Sequence, residues 1–148
     1  MSDLKDQITA AMKTAMREKA KARLGAIRLM LAAIKQIEVD ERKELDDTEV
    51  LAVLDKMLKQ RRESIKQYAA ADRQDLLEIE EYEVGIIKDF MPAQLDDAEI
   101  DSIVAAAIAE TGAASMKEMG KVMGIIRPKL QGRADMGAVS AKIKAQLS

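Results

Sequence analysis

The sequence predicts an all-α fold, and three observations carry that expectation. Alanine, leucine, lysine, glutamate and arginine dominate it, residues that lose little freedom in a helical backbone. Aromatic residues make up only 2% of the chain, so the aromatic and β-branched alternation of a sheet is missing. Apolar residues recur at spacings of three and four over most of the length. With 148 residues the chain is long enough for one compact domain or two small ones.

Each element follows from its own pattern. Asp3 to about Glu18 places Leu4, Ile8, Ala11, Met12 and Ala15 on one helical side, and the charged turn KAKAR follows it. A second helix from about Lys21 to Asp40 carries Leu24, Ile27, Leu31, Ile34 and Ile37. The polar run DERKELDD is a loop, with Asp46 or Asp47 placed to cap a third helix and Glu49 in its first turn. That helix, about Thr48 to Ala70, is expected to bury Leu51, Leu54, Leu58, Ile65 and Tyr68. After a break at AADRQD, a fourth and acidic helix runs from about Arg73 to Phe90. Its apolar positions Leu76, Ile79, Val84, Ile87 and Phe90 are less regular, and Gly85 lies within it.

Pro92 marks the expected boundary between an N-terminal domain, 1–91, and a C-terminal three-helix unit, 92–148. Asp96 and Glu99 form a capping-box pattern for a fifth helix through Glu110, stopped at Thr111-Gly112. Ser115 and Glu118 repeat the pattern for a sixth. Pro128 disfavours helical backbone at Arg127, so PKLQGR is expected to be a connector. Asp135 is placed to cap a last helix through Leu147. Short connections favour antiparallel neighbours, hence a bundle of about four helices followed by the smaller unit.

The same sequence narrows the chemistry. It contains no cysteine and no histidine, which excludes thiol nucleophiles, disulfides, His-based acid/base catalysis and the usual zinc sites. No catalytic residue, metal site or cofactor is expected. No run approaches the length of a membrane span, and MSDLKDQITAAMK has no signal-peptide core. These features lead to the expectation of a cytoplasmic protein.

Net charge is −2, yet it is unevenly divided. Residues 1–71 hold 15 Lys/Arg against 12 Asp/Glu, residues 72–111 hold 2 against 12, and residues 112–148 hold 7 against 2. A basic end behind an acidic middle implies an anionic partner or an internal electrostatic match.

The basic end is also rich in glycine. In GKVMGIIRPKLQGRADMGAVS, Gly120 and Gly124 lie one turn apart and leave one helix side bare. Gly132 and Gly137 bracket the start of the last helix. Lys117, Lys121, Arg127, Lys129 and Arg133 surround them, with Lys142 and Lys144 behind. Backbone N–H groups at a helix start and clustered cations suit phosphate. Close helix packing, glycine caps and charge matching with the acidic helix are equally open readings, and the P-loop pattern is absent. A second candidate is the strip Lys21, Arg28, Lys35 on the second helix, which tracks a polyanion or is simply a solvated face. No aromatics interleave with these cations, so base stacking is not expected. Arg61, on the apolar stripe between Leu58 and Ile65, is placed to pair with a carboxylate of the fourth helix.

The stretches MGKVMGIIRPKLQGRADMGAVSAKIKAQL, RLGAIRLMLAAIKQIEVDER, KQRRESI and YAAADRQDLLEIEEYEVGIIKDFMPAQL resemble the YqeY family in order over essentially the whole chain. Two departures stand out: DRQDL where GRxDL is common, and Gly85. The resemblance implies an all-helical protein whose C-terminal part is similar to the tail of the B subunit of glutamyl/aspartyl-tRNA amidotransferase. In that enzyme the tail contacts tRNA while the chemistry resides elsewhere. The tail's GxVM and GKAN stretches correspond here to Gly120-Lys121-Val122-Met123 and Gly132-Arg133-Ala134-Asp135, separated by a longer IIRPKL connector.

The leading expectation is therefore a non-catalytic tRNA-binding or amidotransferase-associated module, with Gly120, Lys121, Gly124, Lys129, Gly132, Arg133 and Lys142 against tRNA. No DNA or membrane partner is expected. One alternative is a protein-interaction module docking on a synthetase or amidotransferase. The other is amidotransferase-like carbon–nitrogen ligase activity with glutamine as amido donor, which the sequence equips with neither a recognisable nucleophile nor a nucleotide loop.

Overall fold

The computed structural model describes residues 2–147, and seven α-helices are present among them. They are α1 (Asp3–Arg17), α2 (Lys21–Glu41), α3 (Asp47–Ala70), α4 (Gln74–Asp89), α5 (Asp97–Thr111), α6 (Met119–Leu130) and α7 (Met136–Leu147), with a 3-10 turn, Met116–Glu118, before α6. The chain divides into two compact units, Met1–Met91 and Pro92–Ser148. Each has its own apolar core.

In the first unit, α1 to α4 bury Ile8, Ile27, Met30, Ile34, Leu54 and Ile87 almost completely. Two polar links hold its helix ends. Ser2 caps α1 by accepting the Lys5 N–H at 3.1 Å, and its hydroxyl donates to Asp47 at the start of α3. Glu38 is buried on α2, where it accepts from Lys5 Nζ at 2.7 Å and from the Leu45 N–H at 3.1 Å. Those bonds, the lysine's first, hold its carboxyl below the usual carboxylate range. Asp47 is lowered as well, by the Ser2 hydroxyl and then the Leu4 N–H.

Asp46 closes a complete capping box with Glu49, so the cap of α3 is Asp46 and not Asp47. Arg61 meets Glu83 of α4 at 2.8 Å, as its place on the stripe of α3 implied. The break before α4 turns on Asp72, which has a left-handed φ of 55°. An L-residue is costly there and glycine is not, which accounts physically for the glycine of the GRxDL pattern.

The register of α4 differs from the sequence reading. Leu77, Ile86 and Ile87 are its buried residues, whereas Ile79 is exposed. An acidic helix with apolar residues on several sides has no single stripe for periodicity to find.

In the second unit, Asp96 caps α5 through the Glu99 N–H, and Gly112 ends it at φ 67°. Val104, Val122, Ile126, Leu130, Val139 and Ile143 form the core. Two expectations fail here. Ser115 makes no side-chain cap; Glu118 instead accepts the Ala114 N–H at 3.0 Å. Helix α6 also continues through Pro128 to Leu130 rather than stopping at Arg127. Leu130 is fully buried, so core packing holds the last turn helical.

Candidate nucleic-acid interface

Helix α6 has two unlike sides. Val122, Ile126 and Leu130 are buried, while Gly120, Lys121, Gly124, Arg127, Pro128 and Lys129 are exposed. Helical spacing places Gly120, Gly124 and Arg127 in one row with Lys121 beside it. A Cβ added to Gly120 or Gly124 would meet no atom within 4 Å. Neither glycine therefore serves helix packing, and neither has the left-handed φ that would require one. Each nevertheless costs the helix about 0.8–1 kcal/mol relative to alanine. Pro128 has no N–H to offer the Gly124 carbonyl, so that oxygen lacks its ordinary helical donor.

Five of the seven cations of this unit contrast with one another. Lys117, Lys121, Arg127 and Lys129 are exposed and make no ion pair among the described residues. Lys142 on α7 is engaged: it meets Asp101 at 2.7 Å and Asp97 at 4.0 Å, both on α5. The bond to Asp101, and then the charge of both carboxylates, raises its pKa. Internal charge matching thus accounts for Lys142, but with α5 and not with α4.

Gly132 and Arg133 also take structural places rather than open ones. Gly132 is buried with φ 79°, and its carbonyl accepts from Gln94 Nε2 at 2.9 Å. Arg133 donates from Nε to the Ala93 carbonyl at 3.2 Å, and its own carbonyl accepts the Leu95 N–H at 2.9 Å. Together they pin segment 93–95 to the α6–α7 connection. The expectation that Gly132 offers bare backbone to a ligand is corrected: a turn requires it. Asp135 opens α7 by accepting the Gly137 N–H at 2.9 Å.

On α2, Lys21, Arg28 and Lys35 are exposed on one side and make no ion pair among the described residues. Gly25 lies on that side, with nothing within 4 Å of an added Cβ. Leu29 of α2 and Ile79 and Tyr82 of α4 are exposed beside this strip, which apolar periodicity alone does not reveal. Among the described residues no cluster of three or more His, Cys, Asp or Glu side chains could hold a metal ion. No described helix is long and apolar enough to cross a membrane.

Fold and surface together define a two-unit, all-helical module with an open cationic helix face. The chain matches the family described as YqeY, Yqey-like protein, over residues 5–147, and it belongs to that family. Its relatives include proteins named altered inheritance of mitochondria protein 41, mitochondrial. The one from Pyrenophora tritici-repentis is 30% identical over 142 residues, covering 93% of this chain and 77% of the relative. The one from Meyerozyma guilliermondii is 38% identical over 80 residues, covering 54% of this chain and 42% of the relative. The one from Lachancea thermotolerans is 37% identical over 103 residues, 67% of this chain and 54% of the relative. The cytoplasmic expectation is overturned by these relatives, whose names place them in mitochondria. Charged amphipathic helices do not choose between aqueous compartments.

Proposed function

We propose that the chain is a non-catalytic module that holds the sugar-phosphate backbone of tRNA on the open side of α6. The observation that supports this most is the pairing of two glycines under empty space with exposed, unpaired Lys121 and Arg127. Bare backbone permits close approach, and the cations neutralise phosphate. The resemblance to a tRNA-contacting tail supports tRNA as the polyanion. Lys117 and Lys129 extend the face, whereas Gly132, Arg133 and Lys142 hold the unit together. Amide transfer lacks comparable support, since the chain has no cysteine and no histidine to make or activate a nucleophile; release of glutamate from glutamine by the purified chain would reverse that ranking.

The test is a mobility-shift series with tRNA across salt concentrations. Affinity should fall steeply with salt, and Lys121→Glu with Arg127→Glu should reduce the slope of log K against log salt by about two. An unchanged slope and affinity in the double variant would remove the reading.

A further inference from the structure

Residues 7–37 hold seven Lys/Arg and a single carboxylate, Glu18, whereas the rest of the chain holds 17 Lys/Arg against 25 Asp/Glu. A strongly positive stretch thus covers most of α1, most of α2 and the turn between them.

One ion pair shows which sides of the two helices meet. Lys5 of α1 reaches Glu38 of α2 at 2.7 Å. Around α1, buried Ile8 lies about 60° to one side of Lys5, and exposed Lys13 and Arg17 lie about 80° and 120° to the other. Around α2, buried Ile34 and Met30 lie about 40° and 80° to one side of Glu38, and exposed Arg28 and Lys21 about 80° and 100° to the other. Both rows therefore border the outer seam of α1 and α2, on the side away from the core. Packed helix axes run about 8–10 Å apart, and Lys21 and Arg28 are separated by about 10 Å along α2.

The carboxylates nearby do not cancel these rows. Glu18 lies about 140° from Lys5 round α1, away from the seam. Asp6 borders the seam at its opposite end, level with Lys35. Asp89 engages Arg23 at 3.7 Å, and Glu78 stands near Lys21 across the α2–α4 groove. With Lys21 set against Glu78, the exposed Lys13, Arg17 and Arg28 still make no ion pair among the described residues.

The seam has little to offer except charge. Leu24 and Leu31, which lie between the rows, pack against the core, and Met16 is the one large apolar side chain exposed there. Seating a helix surface in a bilayer takes an apolar face to bury. The three aromatic residues, Tyr68, Tyr82 and Phe90, all lie outside α1 and α2, so bases find nothing to stack on. What remains is contact with the phosphates of a regular polyanion, the way base-paired RNA is held.

We propose that the outer seam of α1 and α2 is a second RNA face, which grips the phosphate backbone of a base-paired tRNA stem with Lys13, Arg17, Lys21 and Arg28. The choice of RNA rests on the tRNA reading of the chain. The seam lies in the first unit and α6 in the second, so the two faces are tested apart.

The test is tRNA binding by the full chain across salt concentrations, joined to lysine acetylation read by mass spectrometry. Bound tRNA should protect Lys13 and Lys21 and leave exposed Lys66 of α3 reactive. Arg17→Glu with Arg28→Glu should weaken binding by about tenfold or more and lower the slope of log K against log salt by about two. Circular dichroism and melting temperature should stay native, since both side chains are exposed and unpaired among the described residues. A loss in this variant but not in Lys121→Glu with Arg127→Glu would keep the seam and remove the α6 face; the reverse would remove the seam. The proposal is overturned by unchanged affinity in the Arg17→Glu, Arg28→Glu variant or by Lys13 and Lys21 staying reactive in the presence of tRNA. It is overturned equally if phosphatidylglycerol vesicles protect those lysines and tRNA does not.

Discussion

Helices α2 and α6 each present glycine under open space beside exposed, unpaired cations. They differ in their neighbourhood. Near Gly120 and Gly124 the exposed cations of the same side are Lys121 and Arg127. Near Gly25 lie Leu29, Ile79, Tyr82 and the carboxylates of α4. The same local motif thus stands in unlike surroundings, cations in one unit and apolar side chains with charges of both signs in the other. Counting lysines and arginines along a helix says little until the residues of the adjoining helix are known.

The first way to sharpen the contrast within α6 is to compare its two sides. Ile126→Ala removes a fully buried side chain and should cost about 2–5 kcal/mol in urea unfolding of the C-terminal unit. A substitution at exposed Gly124 should cost nothing.

The next concerns buried polar links against open cations. Glu38→Ala leaves the Leu45 N–H without its acceptor and should cost about 1–3 kcal/mol in the N-terminal unit. The same link sets an acid limit. The folded-state pKa values of Glu38 and Asp47 lie below their unfolded values, so each carboxylate stabilises the fold above its unfolded pKa. That stabilisation is lost as pH falls through the folded value. Thermal melts should show stability dropping below the ordinary carboxylate range, and Glu38→Gln should flatten that dependence.

A smaller effect is expected at Asp72, where glycine relieves the left-handed backbone. Asp72→Gly should stabilise by about 0.5–1 kcal/mol in the same unfolding assay. The smallest is at Lys142, already held by Asp101 and Asp97. Lys142→Gln should change tRNA affinity by less than about twofold, where Lys121→Glu weakens it by about tenfold.

Much of this architecture was legible because local chemistry decided it. Asp46 and Asp96 cap helices wherever a carboxylate precedes an amphipathic run, and Gly112 ends one for the usual conformational reason. Arg61 declared its partner by sitting on an apolar stripe. The failures share a cause in tertiary packing. Pro128 stays helical because Leu130 is buried, and Ile79 is exposed because α4 turns Leu77 and Ile86 inward. Of the candidate residues, Gly120, Lys121, Gly124 and Lys129 are exposed on α6. Gly132, Arg133 and Lys142 did not join them, since their partners Gln94, Ala93 and Asp101 are some forty residues distant in sequence. Compartment was illegible because any aqueous compartment accepts the same charged helices.

The most direct measurement pairs stability with binding in one variant, Gly120→Gln with Gly124→Gln. Glutamine is the better helix former and meets no neighbour, so the melting temperature should rise while tRNA affinity falls by about tenfold or more. Stability and affinity rising together, or affinity left unchanged, would contradict the role assigned to the open side of α6.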